Sequence, residues 1–223
     1  VTDVWSLPYA RRPGSAAGLN AASAALAADP PGDLRVVGGA TVHPGDDDPA
    51  GLVRAAIEEL GLRVLKLHCS VGDYRPDDVR LDAVWSYASD LRLPVVVHAG
   101  HAVSGHTGAG ELEPVATVAR RWPEVPLVLA HCGHPATAEA WGLVASHPGV
   151  HVDLTPVVHD AVPLDAAVIA AHAERVLFGS DAPNTAWSVP ELVGRLRRLD
   201  LAAPALDAVL GGNARRLQDR LRV

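Results

Sequence analysis

The feature that most constrains this chain is a repeat. Short β-branched apolar runs, several closing on a histidine, alternate with longer stretches of helical period. Three of the runs read RVLKLH (63–68), PVVVH (94–98) and PLVLAH (126–131). Lys66 to His98 is 32 residues and His98 to His131 is 33, the length of one strand plus its covering helix. Further strand candidates are 35–43 (RVVGGATVH), 150–155 (VHVDLT), 175–178 (RVLF) and, more weakly, 1–7 (VTDVWSL). Near-continuous apolar strands are those buried on both faces, as in a parallel sheet. The regular alternation therefore predicts an α/β fold with helices wrapped on a parallel sheet.

The helix ends support this reading. Asp48-Pro49 supplies an N-cap and a first-turn proline, Leu52, Val53, Ala56, Ile57 and Leu60 form one face, and Gly61 stops the helix. Leu81, Val84, Trp85 and Ala88 mark a second helix, and Leu112, Val115, Ala119 and Trp122 a third. Ser188-x-x-Glu191 is a capping box before Leu192, Val193, Leu196 and Leu199. Gly211-Gly212-Asn213 breaks the chain and recaps a last short helix.

A closed (β/α)8 barrel and an open doubly wound sheet both satisfy such a pattern. The open sheet ordinarily carries a glycine-rich phosphate turn, and no GxGxxG or Walker pattern is present. The histidines favour the barrel. His43, His68, His98 and His131 close four separate strands, and His101, His106, His134 and His159 fall in the loops just after strands. Polar groups presented from the ends of many strands are the barrel's arrangement. Seven strands are countable where closure needs eight, and about 250 residues are usual for the fold against 223 here. The expectation is a (β/α)8 TIM barrel lacking its first βα unit, one domain over residues 1–223, with the missing unit before Val1. An unclosed barrel exposes a sheet edge and is expected either to be poorly stable or to associate, as a homo-oligomer would.

Charge and cysteine content remove other classes. The net charge is −7 with no basic block, so no nucleic acid is expected. No apolar run approaches the 18 or so residues of a membrane span. Two cysteines, Cys69 and Cys132, make no disulfide framework, and no signal segment leads the chain, which suggests a cytoplasmic protein. Lys66 is the one lysine beside 18 arginines. An amine kept against such a bias suits a role that guanidinium cannot fill, since only an amine loses its proton or is carboxylated.

The chemistry follows from the strand ends. Imidazoles and carboxylates converging at one barrel mouth suit a divalent metal. His98 and His131 end neighbouring strands, Asp181 follows another strand through a Gly-Ser turn, and Lys66 lies two residues before His68 on one strand face. His134, before Pro135 and a helix, reads as a helix cap. His101 and His106 flank a glycine-rich loop and are candidate substrate contacts. Asp153 stands on a strand whose inward face the sequence leaves open, and the cysteines read as buried spectators.

The ordered series VLKLH (64–68), PVVVHAG (94–100), LVLAHCGH (127–134), VHVDLT (150–155), VLFGSDAP (176–183) and LGGNARRL (210–217) resembles the amidohydrolase superfamily. It is most similar to the amidohydrolase-2 family of metal-dependent barrel hydrolases and decarboxylases. The resemblance implies that His98 is the fifth-strand metal ligand. It makes His131 the sixth-strand histidine, a ligand or a catalytic hydrogen-bonding group. Asp181 becomes the eighth-strand aspartate that binds metal and carries the proton, and Lys66 takes the fourth-strand position that is a carboxylated lysine in binuclear members. The first-strand H-x-H pair of such enzymes is absent from these 223 residues, and it belongs to the βα unit that strand counting finds missing. The expected activity is hydrolysis of an amide, ester or lactone in a small-molecule substrate with a divalent ion, zinc foremost. Non-oxidative decarboxylation is the alternative, and a barrel without its metal site, acting as a binding protein, is the other.

Overall fold

Every strand expected from the apolar runs forms, and each pairs with its neighbour in chain order. The computed structural model describes residues 2–98 and 112–222. The strands are β1 (Asp3–Ser6), β2 (Arg35–Thr41), β3 (Val64–Leu67), β4 (Val95–Val97), β5 (Leu127–Leu129), β6 (Val150–Asp153) and β7 (Val176–Leu177). They make one sheet in the order β1 to β7, parallel throughout. Among the described residues β1 pairs only with β2 and β7 only with β6. The architecture is thus a TIM barrel lacking part of its eight-unit closure.

The two faces of the sheet separate cleanly. Leu65 and Leu67, Val95 and Val97, Leu127 and Leu129, and Val150 and Val152 point outward into the main apolar core, beside Val53, Ile57 and Trp85 of the helices. Their alternates Val64, Val96, Val128 and Leu177 gather into a second cluster on the inner face. Side chains from β3 and β7, four strands apart, share this cluster because the sheet curls. Each fully buried Val or Leu contributes about 1.5–3 kcal/mol, so both faces hold the curvature.

The helices are α1 (Ala16–Ala28), α2 (Pro49–Glu58), α3 (Cys69–Gly72), α4 (Asp82–Leu91), α5 (Leu112–Arg121), α6 (Thr137–Ser146), α7 (Ala166–Ala171), α8 (Val189–Arg197), α9 (Ala203–Asp207) and α10 (Asn213–Asp219). The predicted caps are present. Asp48 accepts the Gly51 N–H at 2.9 Å, and Ser188 and Glu191 form the reciprocal box. Leu60, assigned to the α2 face, instead lies past the helix end and is 42% exposed. Helices α1, α3, α7 and α9 carry no sequence signal strong enough to find. The alanine-rich faces of α1 give little periodic contrast, and α3, α7 and α9 are only four to six residues long. A buried Asn20 seats α1, taking the Thr41 N–H at 2.8 Å and donating to the Thr41 carbonyl at 3.1 Å. At the other end of the sheet α10 lies under the strands, with Leu217 in the inner cluster and Gln218 donating to the Arg63 carbonyl.

The strands stop earlier than the apolar runs suggest. His43 and His131 lie two residues beyond β2 and β5, and His68 caps the short α3. The cause after β5 is conformational: His131 (φ 58°) and Cys132 (φ 48°) both take left-handed backbone, which ends the ladder.

Candidate active site at the carboxyl rim of the sheet

The inner face changes character along its strands. Above the apolar cluster come Lys66 on β3, Asp153 on β6 and the histidines that follow β3, β4 and β5. The rings of His68 and His98 stack at 3.9 Å with 13° between planes, and His98 meets His131 edge-on at 5.0 Å. The Tyr9 ring, tilted by 50°, lies 4.7 Å from that of His68. Tyr9 carries no sequence signal, since the loop after a weak first strand has no pattern to mark it.

His131 is buried and held at two points. Its backbone N–H donates to Asp153 Oδ1 at 2.9 Å. Its Nδ1 lies 3.3 Å from the Thr155 carbonyl and 3.2 Å from that of Pro156. Carbonyls only accept, so Nδ1 carries the proton and Nε2 keeps its lone pair when the ring is neutral. Burial lowers the His131 pKa, opposed by the Asp153 carboxylate, so the neutral ring is favoured. His68 is pushed down to about 3 by burial, with the Lys66 charge adding to it. Burial also lowers Lys66 itself, while Asp153 and Asp181 draw it toward the charged form. Asp181 therefore acts electrostatically on both Lys66 and His131. Its own backbone is left-handed (φ 52°), at the turn that follows β7.

Asp153 faces inward, which the sequence leaves undecided. The signal was present in the alternation of Val150, Val152 and Leu154, which sends residues 151 and 153 to the opposite face. Other expectations fare differently. His43 is structural: it accepts the Gly45 N–H at Nδ1 (3.0 Å), so Nε2 donates to the Gly72 carbonyl (2.9 Å). His134 does not cap α6, whose N-cap is Ala136 without a side-chain bond. The chain at residues 131–133 turns left-handed and leaves His134 two residues short of that position. Cys69 and Cys132 are buried free thiols, each pushed up to about 12 by burial, and so inert. His101 and His106 lie outside the described residues. A cavity of about 390 Å³ beside Arg35, Gly38, Arg63 and Gln218 opens at the opposite end of the strands and contains none of these groups.

Two imidazoles in contact and a nearby carboxylate are the donor types that a borderline divalent ion prefers. Among the described residues, no three His, Cys, Asp or Glu side chains are arranged to hold a metal ion. The donor chemistry fits such an ion, and the described donors stop short of a closed shell.

A family model described as amidohydrolase matches residues 8–219. No curated protein matches the chain. Among solved structures it is similar to a TIM-barrel protein of Bordetella bronchiseptica, at TM-score 0.73 and 23% identity over 90% of this chain and 72% of that one. A 5-carboxyvanillate decarboxylase from Sphingomonas paucimobilis superposes at 0.68, with 18% identity over 90% and 71%. A second 5-carboxyvanillate decarboxylase, from Novosphingobium aromaticivorans and with bound manganese, superposes at 0.66, with 16% identity over 92% and 70%. At these identities the likeness establishes the fold. Among the described residues no helix is long and apolar enough to cross a membrane.

Proposed function

Because this chain belongs to the amidohydrolase-2 family, we propose that its carboxyl rim is the site of a metal-dependent hydrolase for an amide, ester or lactone bond of a small molecule. The observation that carries this reading is the contact between His98 and His131, with the Asp181 charge bearing on His131.

His98, His131 and Asp181 would contribute donors to the ion, whose shell the described residues do not close by themselves. A divalent ion, zinc foremost, supplies Lewis acidity and lowers the pKa of water toward about 7. The chain's own groups do the rest. Burial keeps His131 neutral, and its Nδ1–H is committed to the β6 exit, so Nε2 presents a lone pair to the mouth. That makes His131 a ligand or proton acceptor rather than a donor to the scissile carbonyl. Asp181 takes the proton of the attacking water and delivers it to the leaving group. Lys66 is buried and interacts electrostatically with both Asp153 and Asp181; in its protonated form it offsets their charge. Decarboxylation is the second reading, favoured by the decarboxylases among the structural neighbours.

Metal content after dialysis against zinc or manganese, with turnover of an ester, lactone, amide and aromatic-acid panel, tests the proposal. One ion retained per chain with metal-dependent hydrolysis is expected, and His98→Ala should release the ion. Unchanged metal content in that variant would remove His98 from the ligand set. Carbon dioxide release without hydrolysis would transfer the reaction to the second reading.

A further inference from the structure

We propose that Asp153 is the positioning residue of His131, and that its side-chain oxygen acceptor decides which imidazole nitrogen faces the mouth. The inference rests on the reading of His131 as a site residue.

The backbone at His131 and Cys132 is the reason a fixing group is needed. Both residues are non-glycine and both lie in the left-handed region, at φ 58° and 48°. Left-handed backbone crowds the Cβ of any non-glycine residue, so the turn persists only where its surroundings determine it. Asp153 supplies that determination through one oxygen. Oδ1 accepts the His131 N–H at 2.9 Å and the Thr155 N–H at 3.0 Å. The first bond fixes the backbone from which the imidazole hangs. The second fixes the strand exit whose carbonyls, at Thr155 and Pro156, receive Nδ1–H. A single carboxylate thus sets both the origin of the ring and the acceptor toward which it points.

The surroundings are built around the same group. A Cβ at Gly179 would stand 2.0 Å from Thr155 Oγ1 and 3.6 Å from Asp153 Cγ, so the exit of β7 packs directly on this pair. That exit leads to Asp181, and Lys66 on β3 is attracted by both aspartates. His43 shows that the fold imposes no default tautomer. Its Nδ1 accepts an N–H and its Nε2 donates, the reverse of His131. The local acceptor decides each case, and for His131 the acceptor is held by Asp153.

Long-range proton–nitrogen NMR of the histidine rings reads this directly at pH 8, where the imidazoles are neutral, with His131→Asn assigning the resonance. Wild-type His131 should appear as a single Nδ1–H tautomer. Asp153→Asn keeps an oxygen acceptor for both N–H groups and should retain that signature. Asp153→Ala should lose it, giving the averaged pattern of an unconstrained ring. If the alanine variant fails to fold, Asp153→Glu, which moves the acceptor by one methylene, should show the same loss. Val97→Ala, a core truncation on the outward face, serves as the control for general destabilisation and should retain the signature. A folded Asp153→Ala or Asp153→Glu protein with the wild-type tautomer would overturn the proposal. So would loss of the signature in Val97→Ala. This readout involves neither metal nor turnover, so failure of the hydrolase reading would leave the result standing.

Discussion

His131 and His151 are both buried on the inner face of the sheet, and both bond a backbone carbonyl through Nδ1, yet they sit at opposite ends with opposite company. His131, at the carboxyl rim, has Asp153 and Asp181 beside it as well as Lys66. His151, at the floor, bonds the Gly149 carbonyl at 2.9 Å and feels Arg175, Arg220 and Arg216. Burial lowers both, His151 to about 4, and at the floor the arginines push the same way while at the rim the carboxylates oppose it. A histidine among arginines is held neutral as a packing group. A histidine beside carboxylates can exchange protons or share an ion with them. Burial alone does not separate structure from chemistry; the sign of the neighbouring charge does.

Replacing each histidine in turn should break the symmetry most sharply. His131→Ala is expected to lower turnover about 10²–10⁴-fold, the usual contribution of a positioned acid–base group. His151→Leu should leave turnover within about twofold. Steady-state rates on the same substrate panel check both, and comparable losses would mean that the two ends do not differ in function.

A smaller effect is expected where the rim is packed rather than charged. Gly179→Ala forces a methyl onto Thr155 and should destabilise by about 1–3 kcal/mol, the ordinary cost of overpacking. Urea unfolding measures it. A substitution of no consequence would show that the β7 exit can move away from the Asp153–Thr155 pair.

The floor should reveal itself through pH. His151 titrates near 4 in the folded protein against the usual 6.5, so the unfolded chain binds the extra proton between those values. Stability contributed by the neutral ring is fully present above 6.5 and is lost as pH falls toward 4. The slope for one such group is about 1.4 kcal/mol per pH unit. Urea midpoints at pH 7, 6 and 5 should therefore change less in His151→Leu than in the unsubstituted protein. Equal slopes would place the titration elsewhere.

The fold was legible because it is written in short-range patterns. Runs such as PVVVH and PLVLAH mark strands through β-branching and length, and Asp48-Pro49 and Ser188-x-x-Glu191 mark helix starts through capping chemistry. Where contrast vanishes, as in the alanine-rich α1, the same reasoning finds nothing. The apolar runs extend past the ladders at His43 and His131, and at His131 the strand ends because the backbone turns left-handed. Of the candidate site, the sequence marks donor types at strand ends, in His98, His131, Asp181 and Lys66, and the structure brings His98 and His131 into contact. Tyr9 was not, and the roles of Asp153, His43 and His134 were not.

Local sequence thus established the order of elements, the parallel sheet and the family, since periodicity, caps and motif order depend on residues a few positions apart. Three-dimensional packing alone decided which partners each histidine meets. The proton on His131 is governed by Asp153, Thr155 and Pro156, more than twenty residues away along the chain, and that on His43 partly by Gly72. A tautomer is chosen by the acceptor in space, and no local pattern encodes where a distant carbonyl will arrive.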